Sequence, residues 1–210
     1  MRQIKPNEAI PIPEINRKLV ALHIALQFLR TADSRDILSA FIEQELNLGP
    51  LSKNEKRLLH TDLLWDEKFV SSLADHFQQA TWVFGRNLTS TPFMTSDNPI
   101  AFRTNDNRQW VKVGVTARAY VVFPLAKDII LYCYPQESPW DKLSKFDKCL
   151  SPVEFDQDMV ESENSGQVFM ASRFVISPCN HFDAECVFAK TIGTDTYAPR
   201  PTDDDTNEPI

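Results

Sequence analysis

Apolar residues recur at helical spacing through the first third of the chain and at strand spacing through its middle. Ile15, Leu19, Leu22, Leu26 and Leu29 step by four and three, with Val20, Ile24 and Phe28 widening the stripe. That spacing predicts a central buried helix over 14–31. A second helix is expected over 34–47, capped by Ser34, with Ile37, Leu38, Phe41, Ile42 and Leu46 turned inward. Asn47-Leu48-Gly49-Pro50 then ends it. Ser52-Lys53-Asn54-Glu55 reads as a capping box, in which the Ser oxygen accepts an orphan N–H and the Glu reaches back. A third helix runs from there to Gln79, with a bend near Trp65-Asp66 and an inner side marked by Leu58, Trp65, Phe69, Leu73 and Phe77.

From Thr81 the period changes. Thr81–Gly85 and Thr91–Thr95 read as short strands. Ala119–Pro124 and Asp128–Tyr134 are rich in β-branched and aromatic residues, and the short connection makes them a hairpin. A helix fits 155–172, with Val160, Asn164, Gln167, Val168 and Ala171 on one side, and Arg173–Ser177 reads as a last strand. The expected fold is α+β. About three N-terminal helices form a helical subdomain (14–80), packed on a small, mostly antiparallel sheet with one further helix (81–198). An irregular lead-in (1–13) and a disordered acidic tail (199–210) flank them.

Composition narrows the chemistry. No two of the five glycines lie within ten positions of each other. The phosphate-cradling P-loop, the dinucleotide fingerprint and the nucleophile elbow are therefore excluded, and no cofactor is expected. Acids outnumber bases 29 to 22, for a net charge of −7. Without a basic stripe, nucleic acid is not an expected partner. No secretory signal or membrane span is apparent, and the four cysteines show no C-x-x-C, so a cytoplasmic protein with reduced thiols is expected. Cys179, His181, Asp183 and Cys186 offer zinc-type ligands without a second pair at the usual spacing, so no metal site is expected. Asp66-Glu67-Lys68 has the form of a nuclease D-x-K but falls in a predicted helix, where charges face solvent. His23 reads as a satisfied core histidine.

The sharpest local feature is Met94-Thr95-Ser96-Asp97-Asn98-Pro99-Ile100. Asp and Asn bond their own backbone in turns, and Pro99 drives Asn98 out of the helical region. A tight turn is one reading. The other places the Asp97 carboxylate and the Asn98 amide at a sheet edge facing a pocket. Arg30, at the end of the first helix, either meets the helix dipole or turns inward to Asp97 or an anion. Arg173 has the same two readings, a surface charge or a fork for carboxylate or phosphate. Asn164, on the inner side of its helix, needs partners, whether the Ser96–Asn98 turn or a ligand.

These residues resemble a known family. Phe93-Met94-Thr95-Ser96-Asp97-Asn98-Pro99-Ile100 is similar to the hallmark of the domain-of-unknown-function family 4238. So are Ala25–Thr31, Phe123-Pro124-Leu125 ahead of the Ile129–Tyr132 strand, and Asn164 with Gln167, Ala171 and Arg173-Phe174-Val175. The resemblance covers roughly 20–178. It also implies that a His-Tyr-Val-Pro segment with which members open has no counterpart here. The family has no settled activity, so the resemblance supplies positions rather than a reaction.

Two readings of function stand. In one, Ser96, Asp97, Asn98, Arg30, Asn164 and Arg173 are a polar bracing network in an interaction module that binds a protein partner. In the other they form an enzyme or small anionic-ligand site, with Asp97 as general base or metal ligand and the arginines holding the anion.

Overall fold

A computed structural model describes residues 16–104, 109–112, 119–137 and 139–192. The expected lead-in and acidic tail lie outside the described residues. The chain is α+β, with four helices before the sheet rather than three: α1 (Arg17–Leu29), α2 (Ala32–Glu45), α3 (Lys53–Trp65) and α4 (Glu67–Gln79). The strands are β1 (Thr81–Arg86), β2 (Thr95–Ser96), β3 (Ala101–Thr104), β4 (Trp110–Val111), β5 (Ala119–Ala126), β6 (Ile129–Tyr134), β7 (Cys149–Leu150) and β8 (Val175–Ile176). A 3-10 helix (Asp141–Phe146) precedes β7, α5 (Gln157–Met170) precedes β8, and α6 (Asp183–Ala189) follows it. No helix among the described residues is long and apolar enough to cross a membrane.

The local chemistry explains most boundaries. Ser52 and Glu55 form the expected capping box at the start of α3. The bend expected near Trp65-Asp66 is a full break. Asp66 leaves helical geometry at ψ 98°, and its Oδ1 accepts the N–H groups of Lys68 and Phe69 to cap α4. The D-x-K carboxylate is thus a helix cap. Ser34 is not the cap of α2. That place belongs to Thr31, whose hydroxyl accepts the Ser34 N–H, while Ser34 is buried and donates to the Phe28 carbonyl. α2 ends in a Schellman turn. Asn47 takes φ 49°, its N–H bonds the Gln44 carbonyl, and that of Leu48 bonds the Glu43 carbonyl. Asn47 therefore supplies the left-handed residue, rather than Gly49.

The buried face of α1 differs from the expected stripe. Ala21, Ile24, Ala25, Phe28 and Leu29 are buried, whereas Leu19 and Leu26 are exposed. Both faces are apolar, and α1 packs against α4. His23 is exposed rather than in the core, its ring 6.2 Å from that of Phe123. In α4 the buried residues are Val70, Ala74 and Phe77, one face at helical spacing. Leu58 and Trp65 of α3 and Phe41 and Leu46 of α2 are exposed, contrary to their expected inward positions.

Six strands form one sheet in the order β4-β3-β5-β6-β1-β7, and β2 with β8 forms a separate pair. The β5–β6 hairpin is present, turning at Lys127-Asp128. All pairings are antiparallel except β1 with β7. β3 and β4 were not expected from sequence, and the strand expected at Thr91–Thr95 is confined to Thr95–Ser96. α1 reaches the sheet through Phe28, whose ring meets Phe102 edge-on at 5.3 Å. α5 packs against β3 and β2. Its Gly166 faces the Trp110 ring so closely that a Cβ there would lie 2.5 Å from the ring.

Candidate functional site

The segment 92–99 passes over α5 without joining the main sheet, so its backbone groups need other partners. Asn164 supplies two. Its Oδ1 accepts the Met94 N–H at 2.9 Å, and its Nδ2 donates to the Pro92 carbonyl at 3.0 Å. One helical turn further, Gln167 Nε2 donates to the Pro99 carbonyl at 3.1 Å. Both side chains are essentially fully buried. The two amides thus stand in for a neighbouring strand.

Inside the motif, the Ser96 hydroxyl donates to the Asn98 carbonyl at 2.8 Å, with Gln167 Oε1 at 3.3 Å, and accepts the Asn98 N–H. This is the side-chain-to-backbone turn expected from the motif. Asp97 faces the other way. Its Oδ1 accepts the N–H of Ser172 at 3.0 Å and of Phe174 at 3.4 Å, and its own N–H bonds the Phe174 carbonyl. The carboxylate therefore holds the chain where it leaves α5 for β8.

Asn98 closes the network towards the helices. It is 1% exposed, and its Nδ2 donates to Asp33 Oδ2 at 3.3 Å. The same oxygen pairs with Lys112 Nζ at 3.3 Å. Asn98 Oδ1 is buried with no hydrogen-bond partner among the described residues.

Ser96, Asp97, Asn98 and Asn164 thus lie in one network. The arginines do not join it. Arg30 is exposed and donates from Nε to Gln27 Oε1 at 2.6 Å. Arg173 is exposed, although its neighbours Ser172 and Phe174 both bond Asp97. No ion pair links Asp97 to either among the described residues.

Beside the motif lies an open cleft of about 340 Å³, lined by Phe93, Met94, Pro124, Leu125, Lys127 and Ile176 among others. None of Ser96 to Pro99 lines it. Among the described residues no group of three or more His, Cys, Asp or Glu could hold a metal ion. Cys179 contacts the Ser177 hydroxyl at 3.3 Å. Burial raises the Cys133 thiol pKa, away from the reactive thiolate.

A second polar cluster escaped the sequence reading. Arg103 of β3 and Glu163 of α5 pair at 2.8 Å with side chains 6% and 3% exposed. Arg103 also donates to Ser162 Oγ, and its guanidinium lies 4.5 Å from the centre of the Trp110 ring. Burial first, and then the Glu163 carboxylate, raise the Tyr132 phenol well above its ordinary pKa. Asp33 and Lys112 were missed too, because nothing local marks a charge that meets its partner across the fold. Gln167 carried a signal, its spacing of three from Asn164.

A family model described as a protein of unknown function, DUF4238, matches residues 2–179. The chain belongs to this family. The match spans all of the motif residues and both helices that hold them, so the Ser96–Pro99 network lies wholly within the family's domain. No curated protein and no solved structure matches the chain.

Proposed function

We propose that this chain is an interaction module, and that the network around Ser96–Pro99 is the brace that keeps it folded. The observation that carries this reading is the engagement of Asp97, whose Oδ1 accepts two backbone N–H groups. A carboxylate so used is a structural acceptor. Asn164 and Gln167 support the same reading, since each spends its amide on backbone of the 92–99 segment. Exposed Phe41, Leu46, Leu58 and Trp65 on the α2–α3 side favour a protein partner. A cytoplasmic setting, argued from the free thiols, goes with this proposal.

The alternative is an enzyme or anion-binding site on Asp97 with Arg30 and Arg173. It needs the guanidiniums beside a common pocket. The exposed position of Arg30, bonded to Gln27, speaks against that. Titrating the chain with phosphate, acetate and citrate while following its melting temperature separates the two. A ligand that binds only the folded state raises stability with concentration. The brace reading expects no specific rise. A saturable rise lost in Arg30→Met or Arg173→Met would overturn it.

A further inference from the structure

β5 runs past the end of its neighbour. Its pairing with β3 stops at Val122, so from Phe123 to Ala126 that side of β5 has no strand partner among the described residues. The other side stays on β6, with a bulge. Pro124 pairs with Ile130 and Ala126 with Ile129, which leaves Leu125 as the extra residue. A bulge re-aims its side chain, and Leu125 stands 44% exposed in one wall of the 340 Å³ cleft. The β2–β8 pair supplies the other wall, where Ile176 is 57% exposed. Two backbone bonds tie the hairpin turn to the chain ahead of β2. The Phe93 N–H donates to the Lys127 carbonyl at 2.8 Å, and the Asn87 N–H to the Asp128 carbonyl at 3.0 Å. The cleft is therefore framed by the fold itself, as ligand pockets usually are.

The lining selects the occupant. Phe93, Met94, Pro124, Leu125 and Ile176 give the cleft an apolar surface. Among the described residues Lys127 alone is both charged and part of the lining, and it takes part in no ion pair there. Its neighbour Asp128 does not line the cleft. One cation beside apolar walls matches a molecule with a hydrocarbon body and a single anionic end. The body leaves water, and the ammonium donates a charge-assisted bond to the anion. Thr95 also lines the cleft and offers a hydroxyl donor. Two donors suit the two oxygens of a carboxylate. At about 30 Å³ for a water-sized group in a liquid, the 340 Å³ holds about ten non-hydrogen atoms.

We propose that this cleft binds a small monocarboxylate with an unbranched hydrocarbon body of about eight carbons, the chain lying on Leu125 and Ile176 and the carboxylate meeting Lys127. This inference does not depend on the brace, because none of Ser96 to Pro99 lines the cleft and neither Arg30 nor Arg173 does.

Titrating the isotope-labelled full chain with octanoate, below its micellar concentration, and following the amide signals by NMR tests it. Saturable shifts should centre on Thr95, Leu125, Ala126, Lys127 and Ile176. Octylammonium, with the same chain and a cationic head, should bind roughly tenfold more weakly or worse. Lys127→Glu should reverse that order, losing roughly tenfold for octanoate and gaining for octylammonium. The gain also shows that the variant is folded, as expected for an exposed side chain. Arg30→Met and Arg173→Met should leave octanoate affinity within about twofold of the parent. Octanoate that causes no saturable shift, or shifts centred away from the cleft, overturns the proposal. So does octanoate binding indifferent to Lys127→Glu, or binding lost in either arginine variant.

Discussion

The Asn164 side chain bonds the backbone on both sides of Phe93, accepting from Met94 and donating to Pro92. A helix side chain thereby does what a paired strand would do. The consequence is asymmetric: Asn164→Ala strands a buried N–H and a carbonyl at once. Each stranded group costs roughly 1–3 kcal/mol. Denaturant unfolding of Asn164→Ala should show a loss of at least the lower figure with an unchanged slope. Asn164→Asp keeps the acceptor but loses the donor, so it should not restore the parent's stability.

Gly166 and Trp110 make a second pair that cannot be altered singly. A methyl group at 166 would lie 2.5 Å from the indole ring. Gly166→Ala should therefore destabilise by about 1–3 kcal/mol, the usual range for overpacking, despite the better helix propensity of alanine. Adding Trp110→Leu should recover part of that loss, so thermal melts of the double variant should fall short of additivity.

The Arg103–Glu163 pair lies under Trp110 and away from water. Removing one charge leaves the other buried, at a cost of about 3–5 kcal/mol. Arg103→Met and Glu163→Leu should each destabilise strongly in chemical denaturation. The double variant should be better than the sum of the two, because its two apolar side chains leave neither charge of the pair behind.

Glu55 gives a pH signature. Hydrogen bonding from Ser52, first its side chain and then its backbone, lowers the Glu55 pKa. The unfolded state therefore binds a proton more readily than the folded one. The contribution to stability is present above the ordinary carboxylate range and is lost as pH falls through the folded-state value. Comparing melts of Glu55→Ala and parent, the gap should be open at neutral pH and should narrow on acidification. A gap that widened in acid would contradict the capping box.

The sequence made some of this legible and hid the rest for physical reasons. The Ser52–Glu55 box and the β5–β6 hairpin were readable because the residues that define them are close in the chain. The inner position of Asn164 followed from helical spacing. The buried face of α1 did not, because Leu19 and Leu26 make an equally regular stripe, and only the tertiary contacts choose between the two. Thr31 and Ser34 are both good caps three residues apart, and local chemistry does not separate them. β3 took its strand pairing from β5, and β4 from β3, rather than from a strong pattern of their own. Asp33 and Lys112 belong to the network only through contacts across the fold.

The central claim is that Asp97 holds the turn between α5 and β8, and the thermal melt of Asp97→Asn tests it most directly. Hydrogen bonds to a charged group typically contribute ~1.5–3 kcal/mol, and the half-exposed position of Asp97 favours the lower end. For a chain of this size that is a fall in melting temperature of roughly 3–6 °C. Arg30→Met and Arg173→Met, away from the network, should leave the melt within about 0.5 kcal/mol of the parent and show no coupling to Asp97. A lowered melting temperature for Asp97→Asn alone is the predicted result. An unchanged or raised melting temperature would contradict the brace and point instead to a carboxylate kept for function at the expense of stability.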